Sequence, residues 1–228
     1  MKISRTLIAC CAAVLGLAAV PGAHATNFTY WVVLNTSGLD SSDGANAPFS
    51  LDLSLVQGSG NVTNTVTLSN FGFTGGSFDT GSGDVYTQGA ETGSFASSVT
   101  LNNTDIDNEY AGEFDASVSL IRFEVVETTN SEVVGTGTPI NDNFTVQIDD
   151  QSSNLYISTS DPSSADTLVD NALFENETLS SVQTYNSVSP DAGVTTQVSA
   201  VPEPASLGLL ALGIGAFGLL GNRFRRRA

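Results

Sequence analysis

Phe49-Ser50-Leu51-Asp52-Leu53-Ser54-Leu55 carries an apolar side chain at every odd position and a polar one at every even position. A period of two is what a half-buried strand requires, because successive side chains leave a pleated backbone on opposite sides. Thr65-Val66-Thr67-Leu68-Ser69, Phe144-Thr145-Val146-Gln147-Ile148 and Asn154-Leu155-Tyr156-Ile157-Ser158 repeat the pattern. Between such runs stand turn-forming clusters: Gly58-Ser59-Gly60-Asn61, Gly75-Gly76, Gly81-Ser82-Gly83-Asp84, Gly135-Thr136-Gly137 and Asp161-Pro162-Ser163. In the longest run the apolar face shifts, from Phe114, Ala116, Val118 and Leu120 to Ile121, Phe123 and Val125. A slip of one residue predicts a β-bulge near Leu120-Ile121. The best helical candidate is short, Ser164 to Glu177, with Leu168, Val169, Ala172 and Leu173 near i, i+4 spacing. Strands at this spacing without helices between them predict an all-β chain, an antiparallel β-sandwich or jelly-roll-like fold.

Charge is distributed unevenly. Residues 26–200 hold 23 carboxylates and one basic side chain, Arg122, for a formal charge of −22. Nucleic acid is excluded as a partner, since phosphate backbones need a basic footprint. Cys10, Cys11 and His24 all precede residue 26, so disulfides, zinc-finger sites and Ser-His or Cys-His nucleophiles are excluded from the middle of the chain.

Residues 1–25 read as a secretory signal: Lys2 and Arg5, an apolar run from Leu7 to Val20, then Pro21-Gly22 and the small-x-small pattern Ala23-His24-Ala25. Cleavage by signal peptidase after Ala25 would leave Thr26 first. A lipoprotein signal at Cys10 and an uncleaved anchor are the alternatives. At the other end Ala205–Gly221 is uncharged, close to the roughly 20 residues a membrane-spanning helix needs. Arg223, Arg225, Arg226 and Arg227 follow, and such a basic block stays on the cytoplasmic side, leaving residues 26–200 outside. The chain thus divides into a signal (1–25), a β-sandwich ectodomain (26–200) and a C-terminal segment (201–228) with one transmembrane helix at about 205–221.

Val201-Pro202-Glu203-Pro204-Ala205, a short glycine-rich apolar stretch and a basic end together resemble the PEP-CTERM sorting signal of Gram-negative bacteria. The resemblance implies recognition by an exosortase, a membrane-embedded cysteine protease, with Pro202, Glu203 and Pro204 as substrate positions. It also implies an inner-membrane precursor released towards the surface or the exopolysaccharide matrix. The stretch Phe28-Thr29-Tyr30-Trp31-Val32-Val33-Leu34-Asn35-Thr36-Ser37, with Pro48-Phe49, Ser69-Asn70-Phe71 and Gly75-Gly76, resembles the ectodomain of a group of exported proteins with the same tail. That likeness brings no activity with it.

Within the ectodomain Asp105, Asp107 and Glu109 offer oxygen ligands of the kind Ca²⁺ takes. They do not make an EF-hand: counted from Asp105, Gly112 falls at position 8 and Ala116 stands where a bidentate Glu belongs. The other reading is a solvated acidic face, with no cofactor. A glycosidase would need two carboxylates at a set separation, and nothing in the residue order selects a pair, so no catalytic residue is assigned. The aromatics suggest carbohydrate contact instead. Trp31 is expected in the core, Tyr86 and Tyr110 at the surface, and Arg122 as a charge partner on an acidic sheet. The expectation is a non-enzymatic surface or matrix protein of structural or adhesive role. A lectin-like module and a matrix polysaccharide hydrolase are the alternatives.

Overall fold

The computed structural model describes residues 27–39, 48–59, 63–79, 85–128, 140–150, 155–173, 178–188 and 193–201. They form β1 (Asn27–Asn35), β2 (Phe49–Val56), β3 (Thr65–Thr74), β4 (Val85–Gln88), β5 (Glu91–Gly93), β6 (Ser98–Asn102), β7 (Asp107–Phe114), β8 (Leu120–Thr128), β9 (Asn143–Asp150), β10 (Leu155–Tyr156), β11 (Thr167–Ala172), β12 (Gln183–Thr184) and β13 (Thr195–Ala200). The fold is all-β, with two antiparallel sheets and no helix among the described residues. Sheet A runs β13-β1-β8-β3-β6-β5 and sheet B runs β12-β11-β9-β2-β7-β4, with β10 alongside β9.

The inner faces are the apolar halves of the alternating runs. Leu51, Leu53 and Leu55 of β2, Phe144, Val146 and Ile148 of β9, and Tyr30, Val32 and Leu34 of β1 are buried between the sheets. Each fully buried Leu or Phe contributes about 1.5–3 kcal/mol relative to exposure, and the repeat puts such a residue at every second step of the central strands.

Two sequence expectations give way to sheet topology. The phase change at Leu120-Ile121 is not a bulge: β7 ends at Phe114 in sheet B, residues 115–119 turn, and β8 starts at Leu120 in sheet A. Phe114 faces the core from sheet B and Ile121, Phe123 and Val125 face it from sheet A, whereas Leu120 shares the outer face of β8 with Arg122. The bulge lies instead on the adjacent β3, between Ser69 and Gly72, where Asn70 takes φ 55°. That extra residue lets Val66 and Leu68, then Phe71 and Phe73, all point inward. Nor is Ser164–Glu177 helical. Asp161 accepts hydrogen bonds from Ser163 N (2.7 Å) and Ser164 Oγ (2.6 Å), Ala165 takes φ 60°, and Thr167–Ala172 then pairs with β9 as β11. Asx-turn chemistry before the apolar residues, with a partner strand waiting, outweighs their i, i+4 spacing. Residues 174–177 lie outside the described residues.

Two buried polar ties join the layers at one end of the sandwich. Glu127 of β8 accepts from Tyr30 Oη (2.7 Å) and from Asn171 Nδ2 of β11 (2.7 Å), crossing from sheet A to sheet B. Asp142, just before β9, accepts from Asn64 Nδ2 (2.7 Å), Asn103 Nδ2 (2.6 Å) and Gly58 N (2.7 Å). Buried hydrogen bonds to an acidic group contribute more than neutral ones, and removing one partner leaves a desolvated acceptor. Tyr30→Phe is therefore expected to lower stability by about 1–3 kcal/mol in denaturant unfolding. A loss below about 0.5 kcal/mol would show that the Tyr30–Glu127 contact holds nothing together.

Candidate functional site

The outer face of sheet B is built from the polar halves of its strands. In β2 these are Ser50, Asp52 and Ser54; in β7, Asp107, Glu109 and Glu113; in β9, Thr145, Gln147 and Asp149. Register brings the acids together: Ser54 lies opposite Glu109 on one side, Ser50 opposite Asp149 on the other, and Asp52 sits between on the central strand. Tyr156 of β10, opposite Asp149, reaches over to donate its hydroxyl to Asp52 Oδ2 at 2.5 Å. Asp52 is consequently buried although it belongs to the outer face.

Asp52 and Glu109 are diagonal neighbours on this face, since Glu109 pairs with Ser54, and carboxyls so placed do not both ionise at their ordinary values. Burial is the main cause that moves the Asp52 carboxyl up to about 6, with the charges of Asp149 and Asp107 adding to it against the Tyr156 and Glu109 hydrogen bonds. Burial also leads in raising Glu109 to about 7, followed by the charges of Asp52 and Asp107. The Tyr156 hydroxyl is pushed far up, by burial and then by its bond to Asp52, so it remains a donor at neutral pH.

Asp107 continues the row outward. It accepts from Ser54 Oγ (3.4 Å) and Gln88 Nε2 (3.2 Å), and Gln88 in turn accepts from Tyr86 Oη (2.6 Å). The exposed rings of Tyr86 and Tyr156 thus stand on either side of the carboxyls, on β4 and β10.

The predicted calcium ligands separate. Asp105 lies in the turn before β7, its carbonyl accepting from Asn108 Nδ2 (2.9 Å), whereas Asp107 and Glu109 lie on the sheet face. Among the described residues no group of three or more His, Cys, Asp or Glu side chains is arranged to hold a metal ion. Two aromatic expectations also change. Tyr110 is buried, on the inner face of β7, edge-on to Phe95 at 4.9 Å. Trp31 is on the outer face of β1, half-buried beneath the Arg122 guanidinium, 4.5 Å from its ring centroid. Arg122 therefore covers an aromatic ring as well as standing on an acidic sheet.

An apolar cavity of about 430 Å³ opens between the sheets beside β4 and β5, lined by Phe73, Phe78, Val85, Phe95 and Tyr110. Phe78 and Phe95 stack at 4.0 Å within this aromatic cluster.

β13 carries the chain to Ala200, paired with Tyr30 of β1, and Val201 follows half-buried. Pro202, Glu203, Pro204, Ala205 and Arg223, Arg225, Arg226 and Arg227 lie outside the described residues, as do the signal and its expected cleavage positions Ala23 and Ala25. Residues 200–227 match the PEP-CTERM protein-sorting motif. The chain carries a PEP-CTERM sorting signal. Its C-terminal signal implies an exported, membrane-anchored precursor processed by an exosortase. No curated protein and no solved structure matches it.

Because Asp52 and Glu109 titrate higher in the folded protein than in an unfolded chain, the folded state binds more protons from about pH 4 to about pH 7. The stability these groups contribute is full below that window and declines as pH rises through it. We expect a melting temperature that falls from pH 5 to pH 8, with a shallower fall in Glu109→Gln. Parallel profiles for the two proteins would contradict a raised Glu109 carboxyl.

Proposed function

We propose that this PEP-CTERM protein is a non-enzymatic structural or adhesive component of an extracellular polymer layer, contacting neutral polysaccharide through the outer face of sheet B. The observation that carries this reading is the pair of exposed tyrosines, Tyr86 and Tyr156, on either side of the carboxyl row. Aromatic rings stack against the C–H faces of sugars, and carboxylates accept hydrogen bonds from sugar hydroxyls. Five strands span from β10 to β4, so the tyrosine-bearing strands stand about 19 Å apart, the length of several sugar units. The same carboxyls disfavour acidic polysaccharides by like-charge repulsion. Export from a Gram-negative cell, signal-peptidase removal of residues 1–25 and deposition in the exopolysaccharide matrix are part of the proposal.

The hydrolase alternative is less well supported. Glycosidase carboxyls stand about 5–9.5 Å apart across a bound sugar. Asp52 and Glu109 are diagonal neighbours on adjacent strands of a sheet face, and Tyr156 donates its hydroxyl to Asp52. The proposed role needs no catalytic step and no resident cofactor; chelator is expected to leave the melting midpoint unchanged, and a lowered midpoint would establish a structural ion.

Retention of the exported protein on insoluble neutral polysaccharide tests the contact face. The double variant Tyr86→Ala/Tyr156→Ala is expected to bind about tenfold more weakly, close to 1.4 kcal/mol, with its fold intact by circular dichroism. Equal retention of variant and wild type would overturn the assignment of this face. High affinity for soluble oligosaccharides would favour the lectin-like reading.

A further inference from the structure

The two most exposed large aliphatic side chains among the described residues are Ile106 and Ile140, at 75% and 66% relative exposure. They flank one short segment. Gln57 N donates to the Ile106 carbonyl (2.8 Å) and Ser59 N to the Ile140 carbonyl (2.8 Å), so both isoleucines extend sheet B past the end of β2. Val56, 42% exposed, completes the patch.

This is the end from which the sorting signal departs. The Asn64–Asp142 hydrogen bond puts the start of β3 beside the start of β9. β3 begins where β8 ends, β8 ends where β1 begins, and β13 runs towards that same end along β1. Towards the far end, where β13 starts, the exposed large apolar residues are Val188, Tyr156 and Val85, each below 40% exposure and well under Ile106 and Ile140.

Reach sharpens the placement. Ala200 is level with Tyr30, Val125 and Leu68 through their shared registers. From that level to Asn64 is four residues, and from Asp142 out to Ile140 two more, so the end overhangs Ala200 by about 20 Å. Fully extended, the five steps from Ala200 to Ala205, where the uncharged stretch begins, cover at most about 18 Å. The tether is no longer than the overhang.

We propose that in the membrane-anchored precursor this end of the sandwich rests on the bilayer, with Ile106 and Ile140 entering the interfacial lipid. Exposed Asp105, beside Ile106, repels anionic headgroups, so the surface it fits is zwitterionic. The inference depends on the anchored precursor and is independent of the polysaccharide reading.

The test uses the full-length precursor, with Cys10→Ser and Cys11→Ser, in phosphatidylcholine vesicles. Ile106→Cys, Ile140→Cys and, at the far end, Ser117→Cys each carry an environment-sensitive fluorophore, and doxyl-labelled phosphatidylcholine is the quencher. Quenching several-fold stronger at 106 and 140 than at 117 is expected, together with protection of those two from aqueous iodide. Equal quenching at all three overturns the proposal. Protection from iodide without lipid quenching also overturns it, because a covering protein and not lipid would then shield the isoleucines.

Discussion

β1 is held from both sides, by β8 along its whole length and by β13 along six residues. The rest of the molecule depends on this double pairing. β13 runs into the first residue of the sorting motif and β1 is the first of the described strands, so sheet A pairs the first and last described strands side by side. An edge strand with one partner would leave Tyr30, Val32 and Leu34 on a frayed margin. Paired on both sides, they stay fully buried, and Tyr30 stays in reach of Glu127. The fold therefore reaches to within one residue of Pro202, and the folded layer and the membrane address are mechanically continuous.

The acids of this chain do two unlike jobs. Glu127 and Asp142 are buried and surrounded by amide and hydroxyl donors, and they tie the sheets together where the tail leaves. Asp52 and Glu109 lie on the outer face as diagonal neighbours, and burial raises both carboxyls above the usual range. With one arginine among 23 carboxylates in residues 26–200, ion pairing cannot neutralise the acids, and hydroxyl and amide donors hold the buried Glu127 and Asp142 instead.

Strands were legible because a period of two is written in a single segment: β2, β3 and β9 follow their alternating runs. Which strand lies beside which was not legible, and the misreadings share that cause. Two phase slips look alike in the sequence. The slip from Leu68 to Phe71 is a bulge within β3, while the slip at Leu120-Ile121 marks a crossing between sheets. Local surroundings point Tyr110 outward and Trp31 inward, but the face a residue shows depends on its strand's place in the layers. Asp52 read as an ordinary polar position in an alternating strand; its burial comes from Tyr156, 104 residues away. Glu109 was singled out as a calcium ligand, and its partner Asp52 was not. The sorting signal, by contrast, was legible in full, because its parts are contiguous and need no tertiary contact to be recognised.

Intact-mass measurement of the protein released from cells tests the continuity of fold and address most directly. The account predicts a chain that starts at Thr26, keeps every residue through Ala200, and has lost the uncharged stretch 205–221 with its arginines. A released chain ending before Thr195 would lack β13 and leave β1 unpaired on one side. That product, or a soluble cytosolic chain still carrying both termini, would contradict the account.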